Sequence, residues 1–482
     1  MKVCYYNWVD FDDELNRGGG VTVYQRNIME ADKKSSYFIS SGVYYAPPFN
    51  KVFYKINERK ARIYNSPILA PAHLSYGDVA QVSNDELENC FIKLIKEFGG
   101  FDIIHFNNLE GVSAELLAKI KENFPSMKIV LSVHNYYPFC SQVNLWYKEK
   151  SNCINYNDGK KCVTCVSPKH SISAVKKAYF LGDFLRGIRI KDNTPIFNMV
   201  WSLAYKINSI LNLLKLNSNF SNKLEDNKVF DLLEKSNAFK YRREKFIENI
   251  NKYVDGVITV SERVRELCIK FGVHAGLCKT LYIGTKHASY WMKSESINRQ
   301  NNDIFTIAYL GYMRRDKGFP FLLESLKKIS PNIAKNIKLV VAAKKDEYEF
   351  EKLLEVSENF YSLEYYDGYN HNNLDLILKG VSLGIVPPLW EDNLPQVAIE
   401  MHCRRIPILT SSTGGAKELH NSSDKFTFIS GDSKSFKQKL EALYINGIDR
   451  EDYFSSSIVP ISMDEHLNHL EQYYRDLLGE NK

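Results

Sequence analysis

The sequence predicts an α/β protein with two doubly wound parallel-sheet domains in tandem. Three observations carry this. Short apolar runs of strand length alternate with stretches of helical apolar spacing, the pattern of units that build a parallel sheet. The alternation occurs twice, separated by the polar, irregular stretch His287 to Asp303. The 482 residues, 44% hydrophobic and 25% charged, are enough for two or three ordinary globular domains.

The first alternation begins with a buried strand, Lys2 to Tyr6. Gly18, Gly19 and Gly20 follow, with a helix from about Thr22, so glycines stand between strand and helix, where backbone can approach a ligand. Phe101 to Phe106 and Lys128 to Val133 are further strands, with a helix near Ala114 to Glu122 between them. His134 sits at the carboxyl end of the last strand, the edge that carries ligands in open α/β sheets. His105 ends the neighbouring strand and is expected to serve packing. Cys140, Cys153, Cys162 and Cys165 come next, the last two as C-x-x-C. Four thiolates suit a closed structural zinc site; reduced thiols packing a loop are the alternative.

Residues 171 to about 250 look like a helical insertion. Ile196, Val200, Leu203, Ile207, Ile210 and Leu214 recur at helical spacing, widened by Phe197 and Trp201 and flanked by Lys206 and Lys215. This stripe suits a lipid-linked acceptor or a membrane surface, and packing against the domain is the commoner fate of such a stripe. Asn217 to Asn227 is polar and reads as a loop. Ser261 is a good N-cap for the helix through Cys268, and Lys279 to Gly284 closes the first half.

The second alternation has strands in FTIAYLG, IKLVVAAK, LEYYDGY, VSLGIVPP, IPILTSS and KFTFIS. At the end, Ser462 and Glu465 form a capping box ahead of an apolar stripe through Met463, Leu467, Leu470, Tyr474 and Leu477. The most telling stretch is Trp390 to Thr410. A polar turn with Glu391 and Asp392 leads from a buried strand into a helix carrying Leu394, Val397, Ala398, Met401 and Glu400. A helix N-terminus offers free N–H groups to phosphates, and flanking carboxylates suit hydroxyls. A nucleotide sugar has both.

That stretch resembles the signature of retaining glycosyltransferases of family 4, in which an acidic residue is followed, after seven others, by a glutamate. Here the two are Asp392 and Glu400. The family more often has glutamate at the first position, and the neighbouring Glu391 can share its role. Gly311 to Gly318, GYMRRDKG, resembles the family's phosphate loop at Gly311, Lys317 and Gly318. Tyr312 stands where the family has arginine, so Arg314 or Arg315 is expected to supply the missing cation. HNYYPFC, starting at His134, resembles the family block whose histidine lies against the transferred sugar. Gly19 and Gly20 resemble its N-terminal glycine loop, and Gly414-Gly415 another loop near the phosphates.

The resemblance implies the GT-B architecture, two Rossmann-like domains facing a cleft. It divides the chain into an acceptor-side domain (1–285, with the insertion), a linker (286–302), a nucleotide-sugar-binding domain (303–461) and a terminal helix (462–482) that crosses back. It further implies a retaining hexosyl- or N-acetylhexosaminyltransferase acting on a hydroxyl acceptor in surface polysaccharide or glycolipid synthesis. The donor is expected to be a UDP- or GDP-sugar, and the acceptor a glycan or lipid-linked hydroxyl. His134, Asp392 and Lys317 are the expected catalytic residues. Gly19, Gly20, Arg314, Arg315, Lys317, Glu391, Asp392, Asn393, Leu394 and Glu400 are expected to bind donor. No catalytic metal is expected. The alternatives are a degenerate GT-B protein that binds nucleotide or scaffolds a partner, and a nucleotide-sugar epimerase.

A net charge of +6, dispersed along the chain, does not indicate nucleic-acid binding, but suits phosphate ligands or an anionic membrane surface. Nine cysteines argue against a secreted disulfide framework. No apolar run is long enough to span a bilayer. Met1 leads straight into a strand rather than a signal peptide, so the expected compartment is the cytoplasm, at the inner face of the membrane.

Overall fold

The computed structural model describes residues 1–15, 17–32, 36–165, 171–192, 194–203, 226–292 and 304–480. Two sheets dominate it. The first contains β1 (Val3–Asn7), β2 (Tyr37–Ser41), β3 (Phe53–Asn57), β4 (Lys60–Tyr64), β5 (Ile103–Phe106), β6 (Lys128–Val133), β9 (Gly256–Thr259) and β10 (Cys278–Thr280). Between β6 and β9 lies a small hairpin, β7 (Trp146–Tyr147) with β8 (Ser151–Asn152). The strand order of the first sheet is β10-β9-β6-β5-β1-β2-β4-β3, and every pair is parallel except the edge hairpin β3–β4. That hairpin escapes the sequence reading because its strands lie half-exposed at an edge and show no clean apolar run.

The second sheet is wholly parallel: β11 (Phe305–Tyr312), β12 (Ile337–Lys344), β13 (Ser362–Asp367), β14 (Leu383–Val386), β15 (Ile408–Ser411) and β16 (Thr427–Phe428). Its order is β13-β12-β11-β14-β15-β16. The order reverses between β11 and β14, and in an open sheet the crevice above such a reversal holds the ligand. Ile307, Ala308, Tyr309 and Leu310 of β11 are all buried, because helices cover both faces of a parallel sheet. This is why the strands read as continuous apolar runs.

Seven helices bear on function. They are α1 (Gly19–Ala31), α2 (Ile172–Gly187), α3 (Asp226–Tyr253), α4 (Glu262–Lys270), α5 (Phe319–Leu326), α6 (Gln396–Cys403) and α7 (Met463–Leu478). Helix α1 starts earlier than predicted, so Gly19 and Gly20 form its first turn instead of preceding it. Ser261 caps α4 as expected, accepting from the Val264 amide at 3.3 Å. The Ser462–Glu465 capping box opens α7. Helix α7 packs onto the first sheet: Tyr474 Oη lies 2.6 Å from His105 Nδ1, and Tyr24 Oη 2.7 Å from His466 Nε2. Its packed face contains Met463, Leu470 and Tyr474, with Leu467 and Leu477 partly buried against the core, and it also buries His466 and Tyr473, which the stripe did not include. A residue type cannot reveal that its partner is a tyrosine four hundred positions away.

Two expectations need correction. The stretch from His287 is not irregular throughout: it begins within a short 3-10 turn, Lys286–Ala288, and Trp291 is buried, its ring 4.9 Å from that of His402 and under the Arg405 guanidinium. The rest of the predicted linker, 293–303, lies outside the described residues. Nor is the insertion's stripe fully packed where it is described: Ile196 and Leu203 are exposed, while Phe197 and Val200 are half-buried. Ile207, Ile210, Leu214, Lys206 and Lys215 lie outside the described residues, as does the predicted loop from Asn217 up to residue 225.

Candidate active site

A cavity of about 830 Å³ separates the carboxyl ends of the two sheets. From the first sheet it is lined by Gly19, Gly20, Tyr24 and His134, and from the second by Lys317, Asp392, Asn393, Leu394 and Glu400.

The turn after β11 places Lys317. Gly318 has φ +76, and a Cβ there would overlap the Pro387 carbonyl oxygen, so the turn needs glycine for both conformation and space. Held this way, Lys317 Nζ donates to Asp392 Oδ2 at 2.7 Å and stands 5.3 Å from the centre of the Trp390 ring. The turn after β14 is braced from the third side. Gly415 N donates to Asp392 O at 2.9 Å, and Gly414 N to Glu391 Oε2 at 3.0 Å. Gly414 has φ +75, and a Cβ there would overlap the Asp392 backbone. The Gly414-Gly415 loop thus supports the Asp392 turn.

Along α6, the buried Glu400 carboxylate accepts from Tyr369 Oη at 2.7 Å. Burial pushes its pKa up to about 7, against the opposing pull of the Tyr369 hydroxyl and the Arg404 guanidinium. From the opposite wall His134 presents its ring 4.8 Å from that of Tyr24. Its Nε2 is shielded from solvent and has no hydrogen-bond partner among the described residues. Desolvation, then the nearby His466, hold its pKa down to about 3, so the ring is a neutral imidazole at physiological pH. Behind it, Tyr24 is bonded to His466 of α7, so the terminal helix buttresses the histidine wall.

Three expected donor-binding residues are not brought into the cavity. Arg314 turns back on Asp316 with two bonds of 2.8 and 2.9 Å. Arg315 is exposed and faces the Trp146 ring at 6.0 Å. Neither lines the cavity, whereas Tyr312 does. Glu391 is buried in an ion pair with Arg263 of α4, at 2.6 and 3.0 Å. It is committed to joining the two halves of the chain.

Sequence reasoning missed that joint. Glu418 accepts from the Glu262 and Arg263 amides at 2.9 and 2.7 Å, capping α4 from the other half of the chain, and from Tyr282 Oη at 2.8 Å. Asn393 Nδ2 donates to Val133 O at 3.0 Å, and Ser261 Oγ to Asn393 O at 2.9 Å. Asn393 therefore fastens the Asp392 turn to the strand that ends in His134. The one available signal was Ser261, already marked as a cap.

The four clustered cysteines are free, half-buried thiols on the loop around the β7–β8 hairpin, with the buried Arg243 guanidinium beside three of them. Burial raises Cys153 to about 11 and Cys162 to about 12. Among the described residues, the three ligand-type side chains whose atoms gather within 4.8 Å are instead His287, His371 and Glu400. Arg404 Nη1 lies 3.3 Å from His287 Nδ1 and can only donate. Nδ1 of that imidazole therefore accepts, and Nε2 stands 3.9 Å from Glu400 Oε1, beyond hydrogen-bond distance.

Residues 292–456, which contain the Lys317 turn, the Asp392 turn and Glu400, match the family model described as glycosyl transferases group 1. No curated protein matches the chain in sequence. Solved structures match over the whole chain. Anabaena Alr3699/HepE, in complex with UDP, is 12% identical, with 99% of this chain and 100% of that one covered and a TM-score of 0.54. The sucrose-phosphate synthase of Thermosynechococcus elongatus is 12% identical, with both chains fully covered and a TM-score of 0.55. A UDP-forming α,α-trehalose-phosphate synthase from Burkholderia vietnamiensis is 8% identical, again with full coverage of both and a TM-score of 0.56. At these identities the likeness establishes the two-domain fold with its cleft.

Proposed function

We propose that the chain is a retaining glycosyltransferase of the family 4 type, moving a hexosyl or N-acetylhexosaminyl unit from a nucleotide diphosphate sugar to a hydroxyl. The observation that carries this reading is the convergence of Lys317, Asp392, Glu400 and His134 on one cavity, contributed by both sheets. The matched group 1 model supports it, as does the UDP held by the Anabaena neighbour of the same fold.

In this reading Glu400 accepts hydrogen bonds from the ribose diol. Lys317, with the amides opening α6, meets the diphosphate, whose charge grows as the glycosidic bond breaks. Asp392 holds Lys317 and contacts the sugar. His134, neutral and with an unfilled Nε2, donates to or accepts from a sugar hydroxyl. The acceptor hydroxyl attacks on the face from which the diphosphate departs, and the departing phosphate takes its proton. Cations and helix amides supply the positive charge, so the reading needs no catalytic metal. A glycan or lipid-linked hydroxyl in surface polysaccharide or glycolipid synthesis is the proposed acceptor, UDP- or GDP-sugar the proposed donor, and a zinc-braced cysteine loop remains part of the proposal.

The test is a thermal-shift series with UDP, GDP, ADP and their sugars. One nucleotide is expected to stabilise the protein selectively, and Glu400→Ala and Lys317→Ala to abolish the shift. Stabilisation by none would overturn the reading. Tyr312 favours a second reading, a nucleotide-binding protein without transfer. Selective binding with no donor turnover against any acceptor would support that.

Glu400 also predicts a pH dependence. The ribose needs the ionised carboxylate, which is the form present above about pH 7. Nucleotide affinity is expected to weaken by up to about tenfold between pH 8 and pH 6 as this group takes up its proton. The Glu400→Gln variant should bind more weakly at pH 8 and lack that step. Titration calorimetry at both pH values reads the difference, and an unchanged step in the variant would assign it to another group.

A further inference from the structure

We propose that α2 and the helical residues 195–203 form a docking surface for a lipid bilayer containing anionic lipid. The proposal stands apart from the transferase reading, since vesicle binding requires no donor.

One side of α2 is anchored. Tyr179 Oη donates to Ala70 O at 2.9 Å, Phe180 meets Phe49 edge-on at 5.1 Å, and Gly182 and Leu185 are buried. Lys177 and Phe184, with Ile188 just past the end of α2, recur at seven- and four-residue intervals along an exposed stripe, bordered by Phe180, whose ring lies 6.1 Å from that of Phe184. The next helical stretch continues the pattern. Ile196, Met199, Trp201 and Leu203 are exposed, from 38% at Trp201 to 66% at Met199. Large apolar side chains are thus left in water on two successive helical pieces, which a soluble surface normally avoids.

Charge identifies the occupant. The acids of this region, Asp183 and Asp192, are both taken by Arg186, at 2.6 and 3.1 Å. Lys177, Arg189 and Lys191 have no carboxylate partner among the described residues. Exposed aliphatic and aromatic side chains bordered by uncompensated cations match an interface of acyl chains beneath anionic headgroups. No helix among the described residues is long and apolar enough to cross a membrane, so the surface would rest on the bilayer.

The experiment is co-sedimentation of the full chain with extruded vesicles. Vesicles of equal phosphatidylglycerol and phosphatidylcholine are compared with pure phosphatidylcholine, at low and high salt. Strong partition onto the anionic vesicles, falling with salt, is expected. Phe184→Glu/Ile188→Glu and Lys177→Glu/Arg189→Glu/Lys191→Glu should each reduce partition by roughly tenfold or more, with melting temperature and nucleotide-induced shift unchanged. Equal partition of wild type and both variants would overturn the proposal. So would absence of binding to either vesicle. Light scattering showing a dimer that the Phe184→Glu/Ile188→Glu variant loses would assign the face to a second copy of the chain and overturn it as well.

Discussion

Lys317→Ala is expected to lower turnover of the selected donor by about 10²–10³-fold, the usual cost of removing one preorganised donor aimed at developing charge. The expected size follows from the lack of a substitute. Tyr312 occupies the position where an arginine would help, Arg314 is bonded to Asp316, and Arg315 faces Trp146. Lys344 also lines the cavity, but it is exposed and pairs with Asp367 at 3.0 Å. The loss should show in both constants, with KM raised and kcat lowered, because the lysine is expected to hold the bound diphosphate and to meet the charge it gains on leaving. Lys317→Arg should recover part of it. The variant also leaves the Asp392 carboxylate without its cation, so a melting curve must accompany the kinetics. A rise in KM with kcat intact would make Lys317 a ground-state binder. Turnover within about twofold of wild type would remove it from the mechanism altogether.

Gly318→Ala is expected to destabilise the second half of the chain by at least about 2–3 kcal/mol. Two costs combine. A non-glycine residue at φ +76 is strained, and its Cβ would overlap backbone at Pro387 that cannot rotate away. The turn must then shift, carrying Lys317 off Asp392. The melting transition should drop by roughly 5–10 °C and nucleotide-induced stabilisation should shrink with it. Gly431→Ala is the control: that glycine also has positive φ, but its Cβ would meet nothing, so only the smaller conformational cost applies. Equal effects at both positions would show that packing against Pro387 is unimportant.

Much of the fold was legible because buried parallel strands announce themselves. Lys128 to Val133 and Ile337 to Lys344 were read with the bounds they have, since both faces of each are covered and every residue can be apolar. The half-exposed hairpin β3–β4 offers no such run and was not read. In the site, His134 was visible at a strand end and Asp392 in a turn ahead of a helix, while Lys317 was visible through the resemblance to the family's phosphate loop. Arg314 and Arg315 do not line the cavity, since which way a loop side chain turns depends on neighbours: Asp316 holds Arg314 within its own turn.

By itself the sequence determined the strands, the order of the two alternations, the caps at Ser261 and Ser462, and the residues whose types suit phosphate and hydroxyl binding. These follow from side-chain periodicity and backbone chemistry within a few residues. Only the tertiary structure decided that Glu391 joins Arg263, that Glu418 caps a helix of the other half, that His466 stands behind Tyr24 and His134, and that Phe184 and Ile188 face outward. Each depends on groups far apart in sequence, and burial and hydrogen bonding between them arise only once the sheets have assembled.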